Sequence, residues 1–186
     1  QAANRTRRPF PDRLMVIDQT TLTPLGMIRN GAEVNLINNG EIDFIRPQPH
    51  SSAPVNIFGT IYPGNLTLYY SQNQFYRVTY AGEIRLRGTS FGNSPVYYSP
   101  TGSVSHVNLT QPTAVSLFPQ NGLVCSSPEY SFNSGTNLYL HNNGVVSHGV
   151  LSREASIENN HFNFGEIVAF NPTGRLAYPT PANLPR

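Results

Sequence analysis

A glycine followed by alternating apolar residues recurs along most of this chain, and this pattern constrains the fold more than any other feature. The glycines concerned stand 18 to 24 residues apart, and they are Gly40, Gly64, Gly82, Gly102, Gly122, Gly144 and Gly165. A glycine that opens a stretch of period-two alternation is typical of a turn leading into a β-strand. The sequence therefore predicts strand, turn and strand almost from end to end.

The turn residues support this interpretation independently of the spacing. Asn-Gly pairs occur at residues 30–31, 39–40, 121–122 and 143–144. Both residue types tolerate a positive φ, which tight hairpin turns require at their central positions. Glutamate directly follows Gly40, Gly82 and Gly165, so we expect these three sites to share one structural role at the start of a strand.

The predicted fold class is all-β, with an antiparallel β-sandwich or jelly-roll-like architecture in which each unit of about 20 residues is one hairpin. The alternative is a β-solenoid with rungs of about 20 residues, in which glycine marks the corners. If a short helix forms, we expect it at residues 152–160, which contain neither glycine nor proline. A chain of 186 residues is long enough to bury one core.

Charge divides the chain into an arm and a body. Arg5, Arg7, Arg8 and Arg13 stand against Asp12, which gives residues 1–13 a balance of +3, while residues 14–186 hold eight arginines against nine carboxylates, a balance of −1. A basic arm can neutralise the phosphates of a nucleic acid or another anionic partner, whereas a solvated terminus is the alternative interpretation. We therefore separate a basic N-terminal arm (1–13) from a single β domain (14–171).

The last part of the chain, residues 172–186, is rich in proline. Pro172, Pro179, Pro181 and Pro185 favour an extended tail that cannot join the interior of a sheet. We expect this tail, with Tyr178, to lie on a neighbouring subunit of a homo-oligomer.

Tyrosine doublets are the second candidate contact feature. Tyr69-Tyr70 and Tyr97-Tyr98 each lie in an alternating stretch, so one ring of each doublet is expected on each face of a strand. One ring then packs in the core, and the other is available to an interface, where tyrosine combines apolar area with a polar hydroxyl.

Motifs for catalysis or cofactor binding are missing from the sequence. The lone cysteine, Cys125, forms no disulfide within the chain, and His50, His106, His141, His148 and His161 show no metal-ligand spacing. The sequence holds neither a G-x-S-x-G motif nor a phosphate-binding glycine loop, and it has no apolar run long enough for a membrane span. We therefore predict no catalytic residue, no metal and no cofactor.

These features together indicate a non-enzymatic structural or adhesive subunit of an extracellular or virion assembly, such as a coat protein, the head of a spike or fibre, or a surface appendage. A secreted carbohydrate-binding module that uses exposed tyrosines and Asn-rich loops is the alternative. A β-rich hydrolase with paired carboxylates ranks third.

Overall fold

The computed structural model describes residues 31–120 and 126–186 in full and, before residue 31, the backbone of three short strands. The strands that it describes are, in chain order, β1 (Leu14–Met15), β2 (Leu22–Thr23), β3 (Gly26–Met27), β4 (Glu33–Leu36), β5 (Ile42–Arg46), β6 (Val55–Ile57), β7 (Thr60–Tyr62), β8 (Thr67–Ser71), β9 (Gln74–Thr79), β10 (Glu83–Leu86), β11 (Thr89–Gly92), β12 (Val96–Tyr98), β13 (Val104–Asn108), β14 (Thr113–Ser116), β15 (Glu129–Phe132), β16 (Asn137–Leu140), β17 (Val146–Val150), β18 (Ala155–Ile157), β19 (Asn160–Phe162) and β20 (Ile167–Ala169). These described ranges contain no helix, so the prediction of an all-β fold is confirmed.

Ten of these strands form one antiparallel sheet, in the order β1-β4-β5-β8-β9-β12-β13-β16-β17-β20. The other ten form five two-stranded side hairpins, β2–β3, β6–β7, β10–β11, β14–β15 and β18–β19. From β4 onward the chain makes two neighbouring sheet strands, leaves the sheet for one side hairpin, and returns at the next sheet position. This antiparallel arrangement agrees with the predicted β-sandwich class, and the alternative β-solenoid is not formed.

The turns within the large sheet repeat one geometry. The N–H of Gly40, Gly102, Gly144 and Gly174 each donates to the carbonyl three residues earlier, over 2.8 to 3.0 Å. All four glycines have φ between 82° and 87°, a conformation that an L-residue with a side chain adopts at a cost. The Asn-Gly pairs at residues 39–40 and 143–144 are therefore confirmed as turns, and the Thr-Gly pairs at residues 101–102 and 173–174 turn in the same way.

The core lies between the large sheet and the side hairpins. Eight directly paired apolar residues cross the inner face of the sheet: Val34, Ile45, Leu68, Val78, Val96, Val107, Leu138 and Val168, with Gly149 between the last two. The side hairpins bury Ile57, Phe91, Phe132 and Ile157 against this row. Burying apolar surface contributes a stabilising free energy of about 25 cal/mol per Å², and this holds the two layers together.

The repeating unit is longer than the sequence pattern predicts. Gly144 and Gly174 turn successive sheet hairpins and are 30 residues apart, because each unit also contains a side hairpin. Gly64 and Gly165 instead precede the sheet strands β8 and β20, and Gly82 precedes the side hairpin strand β10. Since this unit holds two hairpins, the predicted spacing of about 20 residues per hairpin is close to the one observed, although the glycines mark only some of the turns. Glu41, Glu83 and Glu166 all stand at the start of a strand, as predicted, but the strands belong to different layers.

Residues 152–160 form no helix. They include β18, which pairs with β19 as a side hairpin, and Glu158 and Asn159 occupy its two-residue turn with φ of 47° and 64°. The segment is held as a strand by its pairing with residues further along the chain, which local composition does not reveal.

The sheet continues past residue 171, where the sequence predicts that the body ends. Phe170 bridges Leu176 in antiparallel register, and the N–H of Ala177 donates to the carbonyl of Ala169 over 2.8 Å. The tail proper begins near Tyr178 and turns back onto its own chain. Its contacts include a hydrogen bond of 3.4 Å from Thr180 Oγ1 to the carbonyl of Ile167.

A buried arginine links one side hairpin to the large sheet. Arg87 donates through Nε to the carbonyl of Gly144 over 2.6 Å and through Nη2 to the carbonyl of Leu117 over 3.0 Å. Burial lowers the pKa of Arg87 to about 10, because the charged form loses its hydration. Its two carbonyl contacts identify Arg87 as a structural cross-link.

Candidate functional site

The open face of the large sheet, which points away from the side hairpins, carries a continuous row of aromatic and cationic side chains. We call it the aromatic row; its members, in order across the sheet, are Phe44, Tyr69, Arg77, Tyr97, His106, Tyr139 and His148. Each member is the direct cross-strand partner of the next. They share the open face because each lies one residue away from a member of the buried inner row, and side chains alternate along a strand.

Neighbouring members of the aromatic row contact one another. The guanidinium carbon of Arg77 lies 4.1 Å from the ring centre of Tyr69, and its Nη1 donates a hydrogen bond of 3.4 Å to the Tyr97 hydroxyl. Ring centres are 4.2 Å apart between Tyr97 and His106, and 5.0 Å apart between His106 and Tyr139. Such pairs contribute about 0.5–1.5 kcal/mol each, so the row fastens seven adjacent strands to one another.

This stacking decides which part of each ring faces outward. Arg77 covers one side of Tyr69, and the ring of Phe44 lies 6.0 Å away at 51°. His106 covers one face of Tyr97 at an interplanar angle of 15°. One side of each of these rings is therefore covered within the row, and the rest of the ring and its hydroxyl group are left for a partner.

Two tyrosine–histidine pairs in the row have nearly the same geometry. In the first Tyr–His pair, Tyr97 and His106, the ring centres are 4.2 Å apart; in the second, Tyr139 and His148, they are 4.3 Å apart at 9°. Each histidine Nδ1 lies within hydrogen-bond distance of the preceding serine hydroxyl, 2.9 Å from Ser105 and 3.1 Å from Ser147. The second pair thus repeats the first.

The sequence contains a signal for these pairs that our sequence analysis missed. The pattern Tyr-x4-Gly-x-Val-Ser-His occurs at residues 97–106 and again at 139–148. An aromatic residue also stands four positions after the turn glycines Gly40 and Gly174, at Phe44 and Tyr178. Comparing the turns with one another, instead of measuring the spacing of glycines, would have identified the row.

The C-terminal tail lies against the second Tyr–His pair. Asn137 Nδ2 donates a hydrogen bond of 3.1 Å to the carbonyl of Arg186 and one of 3.3 Å to the Tyr139 hydroxyl. His148 is only 7% exposed although it belongs to the open face, and the carbonyl of Pro185 acts on its ring. The tail therefore covers this end of the row within its own chain.

The two predicted tyrosine doublets divide between the faces of the sheet. Tyr69 and Tyr97 join the aromatic row, while Tyr70 and Tyr98 are 8% and 5% exposed in the core. The hydroxyls of Tyr98 and Tyr62 are 2.7 Å apart, and burial raises the pKa of both groups. Of the four tyrosines, Tyr70 and Tyr98 are therefore the core rings, because alternation directs both inward, and only Tyr69 and Tyr97 are open to a partner.

The remaining predicted contact residues fall into two groups. Tyr178 is 64% exposed and contacts the ring of Phe162 edge-on, with ring centres 6.3 Å apart. The arginines Arg5, Arg7, Arg8 and Arg13, with Cys125, lie outside the described residues. Binding of an anionic partner by the N-terminal arm stays a prediction.

The other features of the described residues are weaker candidates for a functional site than the aromatic row. A cleft of about 510 Å³ beside β15 and β18 contains Glu129, Arg153 and Glu154. Across residues 31–120 and 126–186, no three His, Cys, Asp or Glu side chains converge on a point that would hold a metal ion. That same part of the chain has no helix of the length and apolarity that a membrane span requires.

The two histidines of the row make stability sensitive to acid. Burial lowers the pKa of His106 and of His148 from the ordinary value of 6.5, because the charged rings would lose hydration; at His148 the carbonyl of Pro185 opposes the shift. Below pH 6.5 these histidines bind protons in the unfolded chain, whereas their rings stay neutral in the folded protein. The free energy of unfolding then falls until the pH reaches the lowered pKa values.

We expect the unfolding free energy to be steady between pH 8 and 7 and to fall from pH 6.5 downward, by at most about 1.4 kcal/mol per pH unit for each histidine. His106→Phe keeps a ring in the row but removes the titrating nitrogens, so it should reduce this slope. Above pH 7 the difference in unfolding free energy between the variant and the wild-type protein should change little with pH. Urea unfolding across the pH range measures it. An undiminished slope in the variant would contradict the assignment to His106.

Comparison with known proteins gives no match to a family model, to a curated protein or to a solved structure. We therefore infer function from the residues of the open face.

Proposed function

We propose that this chain is a non-enzymatic structural or adhesive subunit of an extracellular or virion assembly, and that it forms a homo-oligomer through the open face of its large sheet. The aromatic row is the observation that carries the proposal. It places tyrosine, histidine and arginine side chains along one line across seven strands.

The composition of the row supports contact with another protein surface. The outer face of an antiparallel sheet that meets only water is usually polar. Tyrosine and arginine are instead enriched where protein surfaces meet, since they offer large contact areas with hydrogen-bonding groups. Because the rings are fixed by stacking, little side-chain entropy remains to be lost on contact.

The charge of the body favours association of like copies. Residues 14–186 have a balance of −1, so copies of this domain repel one another weakly. Arg77 sits in the middle of the row and has no carboxylate partner within the described part of the chain. A neighbouring surface that supplies an acceptor would stabilise this cation.

The native mass tests the proposal. We expect light scattering to give a multiple of the 20.5 kDa chain mass at micromolar concentration. Arg77→Glu should weaken association at least about tenfold, which corresponds to 1.4 kcal/mol, because it reverses the charge at the centre of the row. Arg85→Glu is the matched control, since Arg85 is exposed on a side hairpin of the other layer.

Circular dichroism would verify that both variants remain folded. A mass of one chain over a wide concentration range would overturn the proposal. Equal weakening by Arg77→Glu and Arg85→Glu would place the contact surface elsewhere than on the open face.

A further inference from the structure

The two Tyr–His pairs differ in whether the tail covers them. At the second pair, Asn137 donates to the tail carbonyl of Arg186, and His148 is buried. At the first pair, His106 is half-buried. Its described contacts are with Ser105 and with the rings of Tyr97 and Tyr139, which all belong to its own sheet.

We propose that the first Tyr–His pair is a docking site for a proline-containing segment, and that its occupant is the segment 179–186 of a second copy of this chain. This inference rests on the proposed function and names the contact through which copies are joined.

The ligand class follows from the pair that is already occupied. The segment 179–186 contains Pro179, Pro181 and Pro185, and it lies against the second pair. Proline-containing segments dock on aromatic surfaces while nearby donors meet their carbonyl groups, and this one turns at residues 182–183, where Asn183 has a φ of 63°. Asn137 is that donor at the second pair. At the first pair the guanidinium of Arg77, hydrogen-bonded to the Tyr97 hydroxyl, supplies donors in the adjacent position.

A second copy is a suitable source because the tail is held loosely in its own chain. Only Thr180 and Leu184 are half-buried within residues 179–186, and the other six side chains are exposed. Few contacts are therefore lost when the tail leaves. At the first pair the segment would meet a tyrosine and a histidine stacked as in the second pair, so it would form contacts similar to those that it leaves.

A synthetic peptide with the sequence of residues 179–186 tests the docking site on the full-length protein. We expect saturable binding of one peptide per chain, with a dissociation constant on the order of 0.1 mM, which suits so short a segment. His106→Ala should weaken binding about tenfold or more. His161→Ala is the matched control, because His161 is an exposed histidine on a side hairpin.

Nuclear magnetic resonance on the wild-type protein makes the test independent of the folding of any variant. The ring signals of His106 should shift during the titration, and those of His161 should stay in place. No saturable binding, or binding without a shift at His106, would overturn the docking site.

The outcome is separable from that of the proposed function. If the chain is oligomeric but the peptide does not bind, the docking site fails and the proposed function stands. If the peptide binds at His106 but the chain is a single copy in solution, the proposed function and the second-copy occupant both fail. The site then belongs to a different proline-containing partner.

Discussion

Phe132→Ala is expected to lower the free energy of unfolding by about 3–5 kcal/mol, the range for removing a large aromatic side chain from a packed core. Phe132 is completely buried in the side hairpin strand β15 and forms an antiparallel bridge with Leu151. Its ring packs against the sheet at Gly149, where a β-carbon would come within 2.6 Å of Cδ1. Urea unfolding measures the loss, and Phe164→Ala, at a side chain that is 65% exposed, serves as the control.

The same contact provides a double-mutant test of the two-layer packing. Gly149→Ala alone should cost about 1–3 kcal/mol, because the new methyl group overlaps the Phe132 ring. In the Phe132→Ala background the overlap is gone, and the methyl group partly fills the cavity. The second substitution should then be neutral or stabilising. Additive losses would show that this hairpin does not pack on the sheet at Gly149.

Gly64→Ala should destabilise the protein by about 3 kcal/mol through steric overlap with the backbone. A β-carbon at residue 64 would lie 2.6 Å from the carbonyl carbon of Ser52 and 2.7 Å from the carbonyl oxygen of Ser51. Neither atom can move without shifting the chain. Thermal and urea unfolding of the purified variant measure the effect.

Gly59→Ala is the matched control for that substitution. Gly59 has a φ of 87° in the turn of a side hairpin, and a β-carbon there meets no atom within 4 Å. Only the cost of a left-handed backbone remains, about 1 kcal/mol. If Gly59→Ala proved as damaging as Gly64→Ala, steric overlap would not be the reason for glycine at residue 64.

The aromatic row was only partly predictable. Alternation predicts one ring of each tyrosine doublet outward but does not say which, and the structure identifies them as Tyr69 and Tyr97. Alternation did not reveal Arg77, His106 or Tyr139, because cross-strand partners are distant in sequence and their register depends on the intervening side hairpins. The repeated Tyr-x4-Gly-x-Val-Ser-His pattern was readable, but only by aligning one turn with another.

Local chemistry in the sequence determined the strands and the turns of this protein. Asn-Gly and Thr-Gly pairs mark turns because few other residues adopt a positive φ without strain, and alternation separates an inner from an outer side chain on each strand. These are properties of a few neighbouring residues. They hold whatever the rest of the chain does.

Only the tertiary structure decided why glycine stands at residue 64 and where the tail lies. Gly64 opens an alternating stretch as Gly144 does but lacks the preceding asparagine, and it admits a close approach of backbone where Gly144 turns a sheet hairpin. The tail predicted to lie on a neighbour contacts Asn137 of its own chain. Both outcomes depend on contacts between segments far apart in sequence, whose free energy is set by packing and not by local conformational preference.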